Sequence, residues 1–349
     1  MITFDGVIFN SRNRLGGVNV YFRELLRRAA QVEQIQVIVH DVNISSLDLQ
    51  IAPAQLDLRR ERLFERYRSL SNVPDGLFHS SYYRTSCQPG VLNVVTVYDF
   101  IYEKFTTGIR APVHFWQKRN AIMRSDAAIC ISNNTKRDLQ ERVPEYPEEK
   151  IFVTHLAASE CFKPVSVMEP IITTQPYVLF VGGRAGYKNF STAVEAIGLL
   201  NNIALICVGG GAITSQERAL LDRTLSGRYV HVGSVGTAQL NELYNLAVCL
   251  LYPSLYEGFG IPPLEAMQAG CPVVALNCSS IPEVTGEAGI LVDESDPRLI
   301  AAAVSECRSA DRRLKMRILG FEQAAKFSWD RTFDETLTIY RQLLEGSLG

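Results

Sequence analysis

Four side chains in the second half of the sequence have the types and spacing for phosphate and sugar chemistry. Arg184 and Lys188 lie four apart in GGRAGYKNF, and Glu257 and Glu265 lie eight apart in YEGFGIPPLEAM. A guanidinium grips a phosphate as a bidentate fork and an ammonium as a point charge, so Arg184 and Lys188 suit a pyrophosphate. Two carboxylates beside such a group must contact something else, because like charges repel. Sugar hydroxyls fit: an ionised carboxylate accepts two hydrogen bonds and a vicinal diol offers two. A solvated loop would explain the two cations taken alone, and a helix-start acid would explain Glu265 taken alone. The four together are not explained that way.

The elements that must position them follow from the flanking sequence. AVCLLYP (247–253) is a buried, strand-like run, and Pro262–Pro263 marks a helix start, since proline suits the first helical turn. Strand, glycine loop and helix start gather backbone N–H groups and a positive dipole end, which favours a phosphate. YVLFVG (177–182) precedes Arg184 in the same way. VGGGA (208–212) permits close backbone approach to a ligand or is a plain turn. No GxGxxG fingerprint and no Walker sequence occurs.

At 349 residues, with 47% apolar residues, the chain is long enough for two cores. The balance of 35 basic against 37 acidic residues excludes the basic excess expected of a nucleic-acid binder. No apolar run reaches membrane-spanning length, and MITFDGVIFNS, with Asp5 and no basic leader, does not read as a secretory signal. Eight scattered cysteines without a Cys-x-x-Cys pair point to buried, reduced thiols, a cytoplasmic setting and no zinc site.

Short apolar runs alternate with helix-like stretches in both halves, which implies parallel sheets covered on both faces. The fold class is α/β, with two doubly wound domains. The expected bounds are 1–165 for a first domain, 166–327 for a second, and 328–349 for a terminal helix able to pack back on the first. The linker is sought in the proline-bearing CFKPVSVMEPIITTQPY (161–177).

PSLYEGFGIPPLEAMQAGCPVVALNCSSIPEVTGEAGILVD (253–293) closely resembles the retaining, nucleotide-sugar-dependent GT-B glycosyltransferases of family 4, through their Glu-x7-Glu motif and the following Pro-Glu-Val segment. VGGRAGYKN, LGGVNVYFRELL (15–26) and DAAICISNNTKRDL (126–139) are similar to further stretches of that family. The resemblance implies two Rossmann-like domains facing across a cleft, 1–165 on the acceptor side and 166–327 binding the nucleotide sugar. It implies that Glu265 binds the nucleotide ribose and Glu257 the transferred sugar, with the backbone at Gly258, Phe259 and Gly260 against the donor. Arg184 and Lys188 would stabilise the leaving diphosphate beside Gly183, with Gly16 and Gly17 closing from the other domain. Family members often carry His-Asp where this chain has Tyr98–Asp99, so Asp99 is a catalytic candidate and Tyr98 replaces a histidine that usually touches the donor sugar.

The implied activity is a retaining, metal-independent hexosyl transfer to a glycan or lipid-linked glycan in surface-polysaccharide assembly. The wording of 253–293 is closest to mannosyltransferase-like members, which favours a GDP-sugar as co-substrate, with no cofactor. An epimerase or phosphorylase on the same fold and a non-catalytic sugar-nucleotide-binding module are the alternatives. A glycosidase would need no diphosphate-binding cations. His79, in GLFHSSYYR, is a candidate acceptor contact. LDLRRERLFERYRSL (56–70) has the spacing of a basic amphipathic helix, a candidate for peripheral docking at a membrane surface.

Overall fold

The computed structural model describes residues 1–10, 17–40, 51–108, 110–166, 172–173, 175–184 and 186–346. The chain divides into two compact units, Met1–Leu156 with Ser328–Gly349, and Ala157–Phe327.

The first unit is built on a seven-stranded sheet of order β3-β2-β1-β4-β5-β6-β7. Its strands are β1 Ile2–Asp5, β2 Ile35–His40, β3 Leu56–Arg59, β4 Gly76–Ser80, β5 Val91–Val97, β6 Ala127–Cys130 and β7 Ile151–Val153. The second unit has a six-stranded sheet of order β10-β9-β8-β11-β12-β13, from β8 Tyr177–Val181, β9 Ala204–Val208, β10 Tyr229–Gly233, β11 Cys249–Tyr252, β12 Val273–Leu276 and β13 Gly289–Val292. Pairing is parallel throughout, from Ile2 against Ile35 to Leu276 against Val292. Each chain path starts mid-sheet, winds outward and returns to the other side. The order therefore reverses between β1 and β4, and again between β8 and β11. In open sheets of this kind ligands bind outside the carboxyl ends of the strands at such a reversal.

The apolar runs read from the sequence are these strands except β3, and the central strands have both faces buried, as parallel sheets require. Val178, Leu205, Cys207, Cys249, Leu251 and Val274 share the core of the second unit with Ala193, Ile197 and Ile300. All eight cysteines are free thiols, five of them buried. Among the described residues no helix is long and apolar enough to cross a membrane.

The division falls at Leu156 rather than at the expected residue 165. Phe162 packs edge-on against Tyr244, with ring centroids 5.8 Å apart. The amides of Lys163 and Val165 donate to Asn241 and Asn245. Residues 162–165 are thus fastened to the second unit. The helix Trp329–Leu344 belongs to the first: Thr332 Oγ1 donates to the His155 carbonyl at 2.6 Å, and Arg28 pairs with Asp330 at 2.7 Å.

The segment 56–70 is not a helix. Leu56–Arg59 is the edge strand β3, and only Glu65–Tyr67 makes a short 3₁₀ turn. Arg59 holds Asp57 and the carbonyls of Ser71 and Asn72, while buried Glu65 is drawn inward by Arg84 at 2.8 Å. These polar anchors fix a strand and loop, so Leu63, Phe64 and Tyr67, which a helix would align, remain open; Leu63 is 76% exposed.

Candidate active site

Two loops at the carboxyl ends of β8 and β11 meet at the reversal of the second sheet. After β8, Gly182 turns at φ +113°, and a 3₁₀ turn Gly186–Lys188 leads into the helix Phe190–Gly198. After β11, residues 253–260 lead into the helix Ile261–Ala269. The amide of Leu255 donates to the Tyr187 carbonyl at 2.8 Å and locks the loops together. Lys188 and Glu257, far apart in sequence, thereby become partners: Nζ donates to Glu257 Oε1 at 2.6 Å and to the Tyr252 hydroxyl at 3.3 Å. Their side chains are 15% and 9% exposed. An ammonium has three donors, so one remains open to a ligand among the described residues.

The Glu257 loop is held from a neighbouring strand end. Its amide donates to Ser279 Oγ at 2.9 Å, and Ser280 Oγ lies 2.9 Å and 2.6 Å from the carbonyls of Glu257 and Phe259. Gly260 caps the helix at φ +112°, where a Cβ would come within 2.9 Å of Ile281. The Phe259 ring is buried edge-on against Phe327, so only its backbone is placed for a ligand. Because Pro262 and Pro263 fall in the first turn, two of its N–H groups are missing and the donor pool is smaller than a typical helix start offers.

Glu265 lies on that helix, partly exposed, accepting from the Tyr244 hydroxyl at 3.0 Å. Burial pushes its carboxyl from 4.5 up to about 7, against the lowering effect of that hydrogen bond.

Arg184 does not join Lys188. Nε donates to Glu217 at 2.9 Å, Nη1 to the Gly209 carbonyl at 2.9 Å, and Nη2 to the carbonyls of Gly211 and Ala212 at 3.0 and 2.9 Å. With its side chain 3% exposed, this guanidinium fastens the glycine loop instead of presenting an open fork. Gly209, Gly210 and Gly211 all take left-handed φ, from +71° to +80°. A Cβ on Gly210 would stand 2.5 Å from Arg184 Nη1 and 2.8 Å from the Gly182 carbonyl. Gly210→Ala should therefore cost about 1–3 kcal/mol, read as a lower urea midpoint at unchanged slope; an unchanged midpoint would show that the loop tolerates side chains. Gly183 is open, with nothing near a built Cβ.

The other expected site residues are in the first unit. Gly17 opens the helix Gly17–Val32, and Gly16 lies outside the described residues. Asp99 Oδ1 accepts from the Ile101 amide at 2.9 Å, and burial raises its carboxyl despite Lys118. The Tyr98 hydroxyl donates to the Ser81 carbonyl at 3.2 Å. His79 is fully buried, with Nδ1 on the Tyr340 hydroxyl and Nε2 on Thr96 Oγ1 at 2.8 Å. Burial lowers its ring to about 3. It is a neutral core histidine with both nitrogens engaged, so the acceptor contact expected of it is withdrawn. Tyr244, Tyr252, Ser280 and Glu217 were not singled out from the sequence; Tyr252, closing its strand, was the one with a positional signal.

Among the described residues no group of three or more His, Cys, Asp or Glu side chains could hold a metal ion.

The family described as "Glycosyl transferases group 1" matches residues 175–309. The O-antigen chain mannosyltransferase B of Escherichia coli is 34% identical over 217 residues, 58% of this chain and 57% of that protein. The chain thus spans little more than half of that relative's length. The alpha-maltose-1-phosphate synthase of Mycolicibacterium smegmatis is 27% identical over 258 residues, 66% of this chain and 67% of that protein. Among solved structures, the sucrose-phosphate synthase of Thermosynechococcus elongatus superposes with a TM-score of 0.78 at 20% identity over 99% of both chains. A HepE structure from Anabaena, in complex with UDP and glucose, gives 0.73 at 13% identity over 97% of this chain and 98% of its own. Two doubly wound parallel sheets and those superpositions give the chain the GT-B fold, and residues 175–309, within its second unit, match the family of glycosyl transferases group 1.

Proposed function

We propose that the chain is a retaining glycosyltransferase that moves a hexose from a nucleotide diphosphate sugar to a hydroxyl of a glycan or lipid-linked glycan in surface-polysaccharide assembly. Mannose from a GDP-sugar is the favoured donor. The observation that carries the reading is the 2.6 Å pair between Lys188 and Glu257 at the sheet reversal, which sets a cation for a leaving diphosphate beside a carboxylate for sugar hydroxyls. The E. coli relative, named for mannosyl transfer to an O-antigen chain, supports the choice of sugar and pathway. In this reading Lys188 neutralises the charge that develops on the leaving phosphate, Glu257 orients the transferred sugar, and Glu265 holds the ribose. Arg184 keeps the 209–212 glycine loop in place beside them.

The test is a thermal-shift panel of GDP, UDP, ADP and dTDP. A ligand that binds only the folded state at a hundred times its dissociation constant adds about 2.7 kcal/mol. GDP should give the largest shift; a larger shift with UDP would overturn the GDP-sugar. Glu257→Gln should lower transfer and leave GDP binding intact, whereas equal losses in both would sink its role toward the sugar. Because a side-chain cation is assigned the leaving charge, transfer should survive EDTA. Activity abolished by EDTA and restored by Mn²⁺ would refute that assignment.

A further inference from the structure

A second cluster of charge lies wholly in the first unit, at the carboxyl ends of its strands on either side of the β1–β4 reversal. Asp5 ends β1, His40 ends β2, and Arg84 follows β4; all three and Glu65 are buried. Arg84 bridges Glu65 at 2.8 Å and Asp5 at 3.3 Å, and His40 Nε2 faces Glu65 Oε1 at 3.2 Å. Beside this quartet opens a pocket of about 550 Å³, within the range of small-ligand sites, lined by His40, Arg59, Arg60, Arg62, Glu65 and Arg68 among others.

Among the described residues the charge in that pocket is not balanced. Asp57, also on its wall, is closed by Arg59 at 2.7 Å, and Glu65 is closed by Arg84. Among the described residues Arg68 uses only Nε, on the Leu63 carbonyl. Arg60 and Arg62 are exposed, and neither side chain has a partner among the described residues. Three arginines with donors to spare thus line one pocket. His40, only 1% exposed, supplies an independent sign of a missing partner: its Nδ1 meets none among the described residues. Buried polar atoms are seldom left so. With Nε2–H turned to the carboxylate, Nδ1 is an acceptor, suited to a ligand hydroxyl or a protonated phosphate oxygen.

We propose that this pocket at the carboxyl ends of β2 and β3 binds a phosphate or diphosphate ester. Planar, always-charged forks match phosphate oxygens bidentately, and the carboxyl ends of strands are the ligand-binding end of such sheets. The same segment carries Leu63 and Phe64, 76% and 67% exposed, with Phe64 held at φ +58°. A bulky residue in that conformation is strained, and here it is turned outward beside the arginines. The ester is therefore either carried by a lipid or free in solution. The site rests on no reading of residues 157–327.

Calorimetry with inorganic pyrophosphate tests it, in a Lys188→Ala background so that the second unit's cation does not contribute. Arg60→Ser/Arg62→Ser, which removes two unpaired surface groups, should weaken binding about tenfold or more, with an unchanged melting temperature. Arg60→Lys/Arg62→Lys should restore part of it. Equal affinity with and without the two arginines, or no binding in their presence, would overturn the proposal. Sedimentation with phosphatidylcholine vesicles, with and without phosphatidic acid, then names the source. Binding to the acidic vesicles alone, lost in both the arginine variant and Leu63→Ser/Phe64→Ser, assigns a lipid-borne phosphate. Pyrophosphate binding without vesicle binding assigns a soluble ester.

Discussion

Replacing Lys188 by alanine is expected to lower kcat/KM for transfer by roughly 10²–10³-fold, the loss that follows removal of one preorganised donor to a developing charge. The same change strips Glu257 of its counter-charge at a site where both side chains are mostly buried. An unpaired carboxylate there costs stability as well, so the melting temperature should also fall. The two effects separate in Lys188→Ala/Glu257→Gln, which removes the orphaned charge. Stability should return in that variant, while transfer stays well below that of Glu257→Gln alone. A single Lys188→Ala variant within threefold of the parent in kcat/KM would remove the lysine from the chemistry. Recovery of transfer in the double variant would show that the lysine had acted only through folding.

Glu265→Gln should raise the stability of the ligand-free protein at pH 8 by about 3 kcal/mol and weaken nucleotide binding in the same measurement series. The carboxyl sits at about 7 in the folded chain against 4.5 in its ordinary state, chiefly through burial. A group whose folded value is raised favours folding in its protonated form. That contribution is complete below pH 4.5 and is lost as pH rises through 7, at about 1.4 kcal/mol per unit. Glutamine is never ionised, so its advantage should be full at pH 8 and vanish near pH 4.5. Thermal unfolding at both pH values reads this directly. Equal stabilisation at the two values would mean that the carboxylate is not strained. For binding the sign is opposite: a diol donates to the ionised form, so nucleotide affinity of the parent should rise with pH through 7. The strain is then compensated by the ligand, the usual cost of a polar group kept for binding in a buried place.

Local sequence by itself determined the strands of both units, β3 excepted, and most of the helices. Runs such as YVLFV and CLLY carry no alternation, and a strand buried on both faces by parallel neighbours needs none. The glycine loops and the proline-marked helix start were legible for the same reason, because backbone conformation at Gly182 or Gly260 is a local demand that few other residues meet. Those signals were enough to put Lys188, Glu257 and Glu265 at strand ends and a helix start.

Tertiary structure alone decided which charges meet. Arg184 and Lys188 look equivalent in GGRAGYKNF, yet the carbonyls of Gly209–Ala212 and the carboxylate of Glu217 take the arginine's donors, while Glu257 takes the lysine. His79 became a core residue because Tyr340, from the terminal helix, and Thr96 engage both of its nitrogens. The stretch 56–70 had the spacing of a helix, but Glu65 gains more from Arg84 and His40 inside the first unit than a surface helix offers it. Helix propensity is worth tenths of a kcal/mol per residue, and a buried carboxylate without its partners costs several. Where the two conflict, the long-range ion pair sets the backbone, and nothing within the segment's own sequence announces the partner.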